Sequence, residues 1–236
     1  MNEPTYLRRI RSFVRRPGRL TPGQRRALDE LLPRYGIGRD VVDLRYAFDR
    51  HAPLVVEIGF GNGQALAWMA GNEADKNFVG IEVHEPGVGR LLKSLDEMEL
   101  TNVRVAMRDA VEVLAEQVAP ASLDEARIYF PDPWPKKRHH KRRLIQPPFL
   151  ELLASRMKPG GLLHLATDWA PYADWMVDAI EEVPALVLKG DPFVPRPAWR
   201  PQTHFERRGQ RKGHAIFDIL CRLGRHRPAD AGSRRP

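Results

Sequence analysis

The sequence has only one cysteine, Cys221, among its 236 residues. A single thiol excludes an intramolecular disulfide framework and a cysteine-rich zinc site, because both need several cysteines. The composition is typical of a protein kept in a reducing compartment, so the cytoplasm is the expected location.

Long apolar segments are also lacking. No stretch approaches the roughly 18 consecutive apolar residues that a transmembrane helix requires. The N-terminal segment MNEPTYLRRIRSFVRR is basic, but no apolar segment follows it, so it does not match a secretory signal. We therefore expect no membrane partner.

Acidic residues are outnumbered, with 30 Asp and Glu against 38 Lys and Arg, which gives a formal net charge of +8 at pH 7. This excess favours anionic partners such as nucleic acid, acidic lipid or phosphorylated substrates, and does not choose among them. The position of the charges along the chain is therefore more informative than their sum.

Apolar, β-branched segments alternate with segments of helical spacing over most of the chain. The predicted strands are 54–60, 77–83, 103–109, 126–132, 161–168 and 215–223, with a further candidate at 185–190. This alternation predicts an α/β fold with a doubly wound, mostly parallel sheet. We assign 51–226 to this domain, 1–50 to a basic, partly helical arm or cap, and 227–236 to a tail expected to be disordered.

The first predicted strand runs into the glycine-rich segment EIGFGNG (57–63). Gly59, Gly61 and Gly63 are spaced so that the backbone can turn sharply and a ligand can approach it closely. The spacing is G-x-G-x-G, whereas dinucleotide-binding loops have G-x-G-x-x-G. Glu57 would repel a pyrophosphate, so the loop favours a cationic ligand. S-adenosylmethionine, which carries a sulfonium and an ammonium group, is such a ligand.

Two more acids follow the next two strands, Glu82 after the second and Asp109 after the third. Ligands of open α/β sheets bind at the carboxyl ends of the strands, so Glu57, Glu82 and Asp109 are expected to face the cofactor. Glu82 is placed to accept hydrogen bonds from ribose hydroxyls, and Asp109 to reach the adenine amino group. Any one of these acids could instead cap a helix, but three together with a glycine loop favour a cofactor site.

The fourth strand ends in the proline-rich segment FPDPWP (130–135). Its three prolines keep the backbone out of a helix and stiffen it. Asp132 can accept hydrogen bonds from the N–H groups of a base and Trp134 can stack on that base, which indicates a substrate-facing site. A structural turn with a core tryptophan is the alternative.

A dense basic run, KKRHHKRR (136–143), follows directly. Lys and Arg side chains that neutralise phosphates are what binding to an RNA backbone requires. The residues assigned to this role are Lys137, Arg138, Lys141, Arg142 and Arg143. The N-terminal arm and the segment 207–212 add further candidate phosphate contacts. His139 and His140 have no partners at metal-ligand spacing, so no metal site is predicted.

These segments resemble the bacterial tRNA (guanine-N7)-methyltransferase family over most of the chain, from about residue 55 to residue 221. The motifs that carry the resemblance are EIGFGNG (57–63), GIEVHEPGVG (80–89), FPDPWPKKRHHKRR (130–143), ATDWAPYA (166–173) and RPQTHFERRGQRKGH (200–214). The third is highly specific, whereas glycine loops recur in many methyltransferases. The resemblance implies a Rossmann-like class I fold with a final antiparallel strand, S-adenosylmethionine as the cofactor, and tRNA, methylated in its variable loop, as the partner. No obligatory protein partner is evident.

The glycine loop and the resemblance together assign roles to individual residues. The expected cofactor-binding residues are Glu57, Gly59, Gly61, Gly63, Glu82, Asp109 and Asp132. Asp132 is also the expected catalytic carboxylate. The expected substrate-binding residues are Lys136, Asp168, Thr203, His204, Phe205 and Glu206. Many relatives have lysine at the position of His204, which leaves the contact of that one side chain open.

Three other functions are alternatives. The segment 131–134 resembles the D/N-P-P-aromatic pattern of enzymes that methylate exocyclic amino groups, such as N6 of adenine, although Trp134 replaces the second proline. The chain could also be a non-catalytic RNA-binding protein on a methyltransferase scaffold. A nicotinamide dehydrogenase is disfavoured by Glu57 and by the glycine spacing.

Overall fold

The structure is a computed structural model that describes residues 19–224. Most of the predicted basic arm before residue 19, and the predicted disordered tail after residue 226, lie outside the described residues. The elements in chain order are α1 (Pro22–Tyr35), β1 (Leu54–Ile58), α2 (Gln64–Asn72), β2 (Asn77–Ile81), α3 (Glu85–Glu97), β3 (Val103–Ala106), α4 (Ala110–Gln117), β4 (Leu123–Tyr129), α5 (Pro147–Arg156), β5 (Met157–Thr167), α6 (Ala170–Glu181), β6 (Leu186–Leu188), α7 (His204–Arg211) and β7 (Phe217–Leu223). Short 3-10 helices at Leu44–Ala47 and Lys137–Arg142 lie in the connections.

Seven strands form one sheet in the order β3-β2-β1-β4-β5-β7-β6. The first five pair in parallel, whereas β7 is antiparallel to both β5 and β6. The predicted doubly wound, mostly parallel α/β fold with a final antiparallel strand is confirmed. The strand order reverses between β1 and β4, and ligands of such sheets bind at the carboxyl ends of the strands near this reversal.

Helices cover both faces of the sheet, and each face has its own hydrophobic core. Val55 and Val56 are neighbours in β1 and both are fully buried, yet they belong to different apolar clusters. Helices α1, α2 and α3 pack on the side of Val55, and α4, α5 and α6 on the side of Val56. Successive side chains of a strand point to opposite faces, so a strand buried on both sides has a continuous apolar sequence. This is the pattern that identified the strands.

Residues 19–50 belong to the segment interpreted as an arm or cap, and the structure shows that they also contribute to the core. α1 begins with a capping box, in which the Thr21 and Gln24 side chains each accept a hydrogen bond from the backbone N–H of the other. Tyr35 is buried in the same cluster as α2 and α3. The N–H of Ile37 donates to a carbonyl of the edge strand β3 at 2.8 Å. The described part of the segment therefore covers one edge of the sheet and contributes to its core.

Several element boundaries also differ from the prediction. α7 and the 3-10 helix at Lys137–Arg142 were not predicted, because their sequences are too polar to show an apolar face. The candidate strand at 185–190 is present as the short strand β6. The strand predicted at 161–168 begins earlier, at Met157, directly after α5 ends at Arg156.

Some features are absent from residues 19–224. No helix in this range is long and apolar enough to cross a membrane. Within the same range, His, Cys, Asp and Glu side chains form no group of three that could hold a metal ion. The single thiol, Cys221, is buried on β7.

Candidate cofactor and substrate site

The candidate site is a cleft at the carboxyl ends of β1, β2 and β4. The glycine loop contributes Gly59 and Gly61 to its lining, and Glu82 contributes from the end of β2. Asp132, after β4, and Phe205, on α7, also line the cleft. The fold therefore brings residues of four separate sequence motifs together at the reversal of strand order.

The glycine loop needs glycine for two different reasons. Gly61 and Gly63 have φ values of 59° and 73°, in the left-handed region that side chains disfavour. In addition, a Cβ atom on Gly63 would lie 2.5 Å from Cβ of Leu91, on α3. Glycine at these positions therefore allows both the sharp turn and the close packing of α3 under the loop.

Glu82 holds the glycine loop against the end of β2. Its Oε2 accepts a hydrogen bond from the N–H of Gly61 at 3.0 Å. Its Oε1 accepts from the N–H groups of Val83 at 2.7 Å and His84 at 3.1 Å. A carboxylate oxygen can accept more than one hydrogen bond, so the expected contact with ribose hydroxyls is compatible with this arrangement and stays a prediction.

Glu57 lies on β1 beside the glycine loop and is 3% exposed. Its Oε2 is buried and has no hydrogen-bond partner among the described residues. Burial raises the pKa of this carboxyl to about 8, Arg127 opposes the rise, and the charge of Glu82 adds to it. A buried carboxyl oxygen without a partner costs free energy, so its presence beside the loop fits a ligand that brings a positive charge or an N–H donor.

Asp109 follows β3 and is the N-cap of α4. Its Oδ1 accepts hydrogen bonds from the N–H groups of Val111 at 2.8 Å and Glu112 at 3.2 Å. The helix-capping alternative is therefore present, and it occupies one of the two carboxylate oxygens. Both chain neighbours, Arg108 and Ala110, line the cleft. Contact between the second oxygen and an adenine amino group stays a prediction.

The segment after β4 has an unusual backbone on either side of Asp132. Phe130 and Trp134 have φ values of 53° and 44°, and a left-handed conformation at a residue with a side chain costs about 1–3 kcal/mol. Asp132 lies between them, is exposed, and lines the cleft. Strain of this kind persists where the surrounding structure enforces it, and here it accompanies the placement of the expected catalytic carboxylate.

Trp134 packs against the basic 3-10 helix and lies outside both hydrophobic clusters. Its ring meets His139 edge-on with centroids 5.8 Å apart, and the guanidinium of Arg142 lies 5.0 Å from its centroid. Its Nε1 is buried without a hydrogen-bond partner among the described residues. The alternative of a core tryptophan is therefore not supported, and stacking on a base stays a prediction.

Arg143 was predicted to contact RNA phosphates, and the structure corrects this. It is 3% exposed, and its Nε donates to the carbonyl of Pro133 at 3.0 Å. Its guanidinium lies 4.8 Å from the ring centroid of Tyr172 and 4.9 Å from that of Trp175, both on α6. Arg143 thus fastens the proline-rich segment to α6 and is not available to a phosphate.

The remaining basic residues of the run are accessible. Lys136, Lys137, Arg138 and Lys141 are exposed and Arg142 is half-buried. None of these five side chains forms an ion pair with an acid inside the range 19–224. Their expected contacts with RNA stay predictions, and the structure leaves them free to make such contacts.

The expected substrate segment 203–206 divides into accessible and structural residues. His204 and Phe205 are exposed, and Phe205 reaches the cleft. Thr203 is the N-cap of α7 and accepts a hydrogen bond from the N–H of Glu206 at 3.1 Å. Glu206 is 2% exposed and pairs with Arg200, so the structure corrects its expected substrate contact to a structural role.

Asp168, also expected to contact the substrate, follows β5 and lies under α7. Its Oδ2 is 3.0 Å from Nδ1 of His214. A Cβ atom on Gly209 would lie 2.6 Å from the same oxygen, so α7 packs closely on this carboxylate. Its side chain is 30% exposed, and a contact with RNA stays a prediction.

Sequence reasoning missed a buried charged network between the sheet and α7. Arg200 donates to Asp218 on β7 from Nε at 2.6 Å and Nη2 at 2.7 Å, and to Glu206 at 2.5 Å. Asp218 also meets Nε2 of His164 at 2.7 Å, and Nδ1 of that ring lies 3.0 Å from the hydroxyl of Tyr129. The sequence indicates this network only through His164 and Asp218, each of which lies between two apolar residues of its strand.

Comparison with solved structures gives the fold. The aminoglycoside resistance methyltransferase NpmB1 superposes with a TM-score of 0.55 at 15% identity, over 79% of this chain and 94% of that chain. The 16S rRNA methyltransferase KamB superposes with a TM-score of 0.54 at 15% identity, over 77% of this chain and 91% of that chain. At this identity the likeness shows a shared fold and nothing about the substrate.

Comparison with sequences gives the family. A family model described as "Putative methyltransferase" matches residues 51–219. The tRNA (guanine-N7)-methyltransferase of Xanthomonas campestris is 55% identical over 217 residues, which is 90% of this chain and 83% of the relative. The enzyme of the same name from Halorhodospira halophila is 52% identical over 237 residues, covering 98% of this chain and 100% of the relative. The chain therefore belongs to the tRNA (guanine-N7)-methyltransferase family.

Proposed function

We propose that this protein transfers the methyl group of S-adenosylmethionine to N7 of a guanine in tRNA. The observation that carries the proposal is that the glycine loop and Asp132 line one cleft, so a cofactor site and a base site adjoin. Relatives at 52% and 55% identity bear the name of this activity. The family resemblance implies a guanine of the variable loop, and the cytoplasm is where we expect the protein to meet tRNA.

The acids in and beside the cleft fit the cofactor: Glu82 lines it, and Glu57 and Asp109 are each next in sequence to a residue that does. The unpaired, buried oxygen of Glu57 suits a cationic group, Glu82 suits ribose hydroxyls, and the second oxygen of Asp109 suits the adenine amino group. When bound, S-adenosylmethionine supplies an electrophilic methyl group on a sulfonium. Acids at three successive strand ends favour this ligand over a pyrophosphate-containing one.

Guanine N7 has an in-plane lone pair and no proton, so it needs no general base to act as a nucleophile. The chain must therefore align the base and exclude water. Methylation gives the purine ring a positive charge, which a fixed carboxylate can stabilise. Asp132, which lines the cleft, is the acid to which we assign this role, and it can orient the base through its N–H groups.

The base has to leave its stacked position to enter the cleft. N7 lies on the major-groove edge, which is deep and narrow in A-form RNA. Phe205, which lines the cleft, is an aromatic surface on which an exposed base can stack. Trp134, two residues after Asp132, is the second aromatic side chain that we assign to such stacking. The accessible cations of the 3-10 helix at Lys137–Arg142, together with Lys136, would hold the phosphates nearby.

The test uses the purified protein, unmodified tRNA transcripts and methyl-labelled S-adenosylmethionine. Treating the product with borohydride and aniline cleaves the chain at N7-methylguanine, so we expect label incorporation and scission at one guanine. Asp132→Asn provides the control, with cofactor binding retained and label lost. Label without scission would move the chemistry to another atom, such as an exocyclic amino group. Bound tRNA without label would favour the RNA-binding alternative.

A further inference from the structure

α7 carries a strongly basic outer surface close to the cleft. Its exposed side chains His204, Arg208 and Arg211 follow an i, i+4, i+7 spacing, which places them along one face of the helix. Arg207 and Lys212 are also exposed and flank this stripe. In the part of the chain that the structure describes, none of these five residues pairs with an acid. The unpaired side chains of Arg207, Arg208, Arg211 and Lys212 have free charges to offer to an anionic partner.

The N-terminal half of α7 is fixed to the sheet through the opposite face of the helix. Glu206 accepts a hydrogen bond from Nη1 of Arg200 at 2.5 Å. The same guanidinium donates twice to Asp218 on β7, and the side chains of all three residues are at most 3% exposed. A bidentate, buried pair of this kind sets the position and rotation of the helix.

A second anchor fixes the C-terminal half. Gly209, one turn after Glu206, packs so closely on Asp168 that a side chain there would overlap the carboxylate. Asp168 in turn pairs with His214, just after the helix. Two anchors on one face leave α7 little freedom to slide or rotate, so its outer face has a defined direction.

The pocket residue Phe205 belongs to the same rigid helix. It lines the cleft at the first turn of α7, and Arg208 and Arg211 follow one and two turns later, since an α-helix rises 1.5 Å per residue. A base held in the cleft against Phe205 would thus have its neighbouring phosphates within reach of a fixed row of cations.

We infer that the outer face of α7 (His204, Arg207, Arg208, Arg211 and Lys212) is a second phosphate-binding surface, which grips the tRNA backbone next to the target guanine. The inference rests on the proposed function, in that RNA is the substrate. The surface is separate from the basic 3-10 helix at Lys137–Arg142, and it is positioned by Arg200 and Asp168. Its role is to bind the substrate, and it takes no part in the methyl transfer itself.

The experiment compares Arg208→Gln, Arg211→Gln and the double variant with Arg222→Gln. Arg222 is the matched control, because it is exposed and pairs with no acid within residues 19–224. It lies opposite Leu162 in the middle of β5, five residues before the carboxyl end of that strand, and its Nη1 donates to the carbonyl of Gly160 at 2.7 Å. Binding of unmodified tRNA is measured against salt concentration, together with kcat and KM for tRNA and the Kd for S-adenosylmethionine.

The expected result is a loss of RNA binding alone. The slope of log affinity against log salt should become shallower by roughly 0.7 to 0.9 for each phosphate contact removed. The KM for tRNA should rise by about tenfold in the double variant, as loss of charge-assisted contacts of about 1.4 kcal/mol in total would give. The values of kcat and of the cofactor Kd should stay those of the wild type. Arg208→Lys, which keeps the charge, should keep the salt slope.

Two results would overturn the inference. One is a double variant with the salt slope and KM of the wild type, and the other is an equal loss in Arg222→Gln, which would mean that only net charge matters. Failure of the proposed function looks different, because then the wild type itself yields no N7-methylguanine. Matching thermal unfolding curves establish that the exposed substitutions leave the fold intact.

Discussion

Glu57 on β1 and Arg127 on β4 are partners in the parallel register, yet they form no hydrogen bond with each other. The guanidinium of Arg127 donates to Glu73 at 2.8 Å and to Glu125 at 2.6 Å. Arg127 is thus already neutralised by other acids, and Oε2 of Glu57 is left without a hydrogen-bond partner among the described residues, next in sequence to Ile58, which lines the cleft.

The pH dependence of the free energy of unfolding should reveal the unpaired carboxyl of Glu57. The folded-state pKa of Glu57, about 8, lies above its ordinary value of 4.5. Between these values the folded state binds more protons than the unfolded state, so this group makes stability fall as pH rises. Glu57→Gln removes the titration. The free energy of unfolding in urea of Glu57→Gln, relative to that of the wild type, should therefore increase from about pH 4.5 to about pH 8. A difference that does not change with pH would contradict a raised pKa.

Ionisation of Glu57 should have the opposite effect on cofactor binding, because it lowers stability and raises affinity for the cofactor. A cationic ligand favours the ionised carboxylate, so the affinity for S-adenosylmethionine should rise, relative to Glu57→Gln, as the pH approaches about 8. The comparison with the variant is necessary because an α-amino group titrates in the same range. Calorimetric titrations at several pH values measure both curves, and parallel curves would rule out contact between Glu57 and the cationic group.

Asp132→Ala should lower the rate of methyl transfer far more than it lowers cofactor affinity. Removal of one preorganised group that stabilises developing charge typically costs about 100- to 1,000-fold in rate. Single-turnover transfer to tRNA measures the rate, and calorimetry measures the Kd for S-adenosylmethionine. Weakened cofactor binding with an unchanged rate would assign Asp132 to the cofactor only.

Arg143 and Lys141 form a matched pair with opposite expected effects. Arg143→Gln removes a buried hydrogen bond to Pro133 and the packing on α6, so the free energy of unfolding should fall by about 1–3 kcal/mol. Lys141→Gln, at an exposed position, should leave stability unchanged and make the salt dependence of tRNA binding shallower. The reverse pattern would restore Arg143 as a phosphate contact.

Arg200→Met should be strongly destabilising, because it leaves the Glu206 and Asp218 carboxylates buried without their partner. Although burial raises the pKa of Asp218, hydrogen bonds from His164 and Arg200 bring it below the ordinary value. Removing one member of a buried pair costs about 3–5 kcal/mol, measurable by urea unfolding. Arg196→Met is the control, since Arg196 is 41% exposed and lies 3.5 Å from Glu206. Equal, small effects of the two variants would show that the network does not fix α7.

The sequence was sufficient for features that depend on local pattern. Strands buried on both faces appear as apolar runs, and the glycine loop appears as a fixed spacing, so the sheet and the positions of Glu57 and Asp132 were predicted. Arg143 could not be recognised as structural, because it stands in a run of accessible cations and its ring partners on α6 lie about thirty residues further along the chain.

Buried charges are harder to predict because their partners are distant in sequence. Arg200 finds Asp218 only when β7 pairs with β5, and Glu206 is buried only because Arg200 lies beneath α7. The packing of α1 was missed for a related reason, since its polar residues outnumber the few apolar ones that reach the core. In each case burial depends on tertiary contacts that no local spacing encodes.

The position of β7 has a consequence for how the protein is made. β7 lies between β5 and β6 in the sheet, yet it is the last of the seven strands to leave the ribosome. Until it arrives, β5 has an open hydrogen-bonding edge and β6 has no strand to join. Open edges of this kind promote association between chains. Truncated chains that stop short of residue 217 should therefore aggregate or be degraded, because the sheet cannot close before β7 has been synthesised.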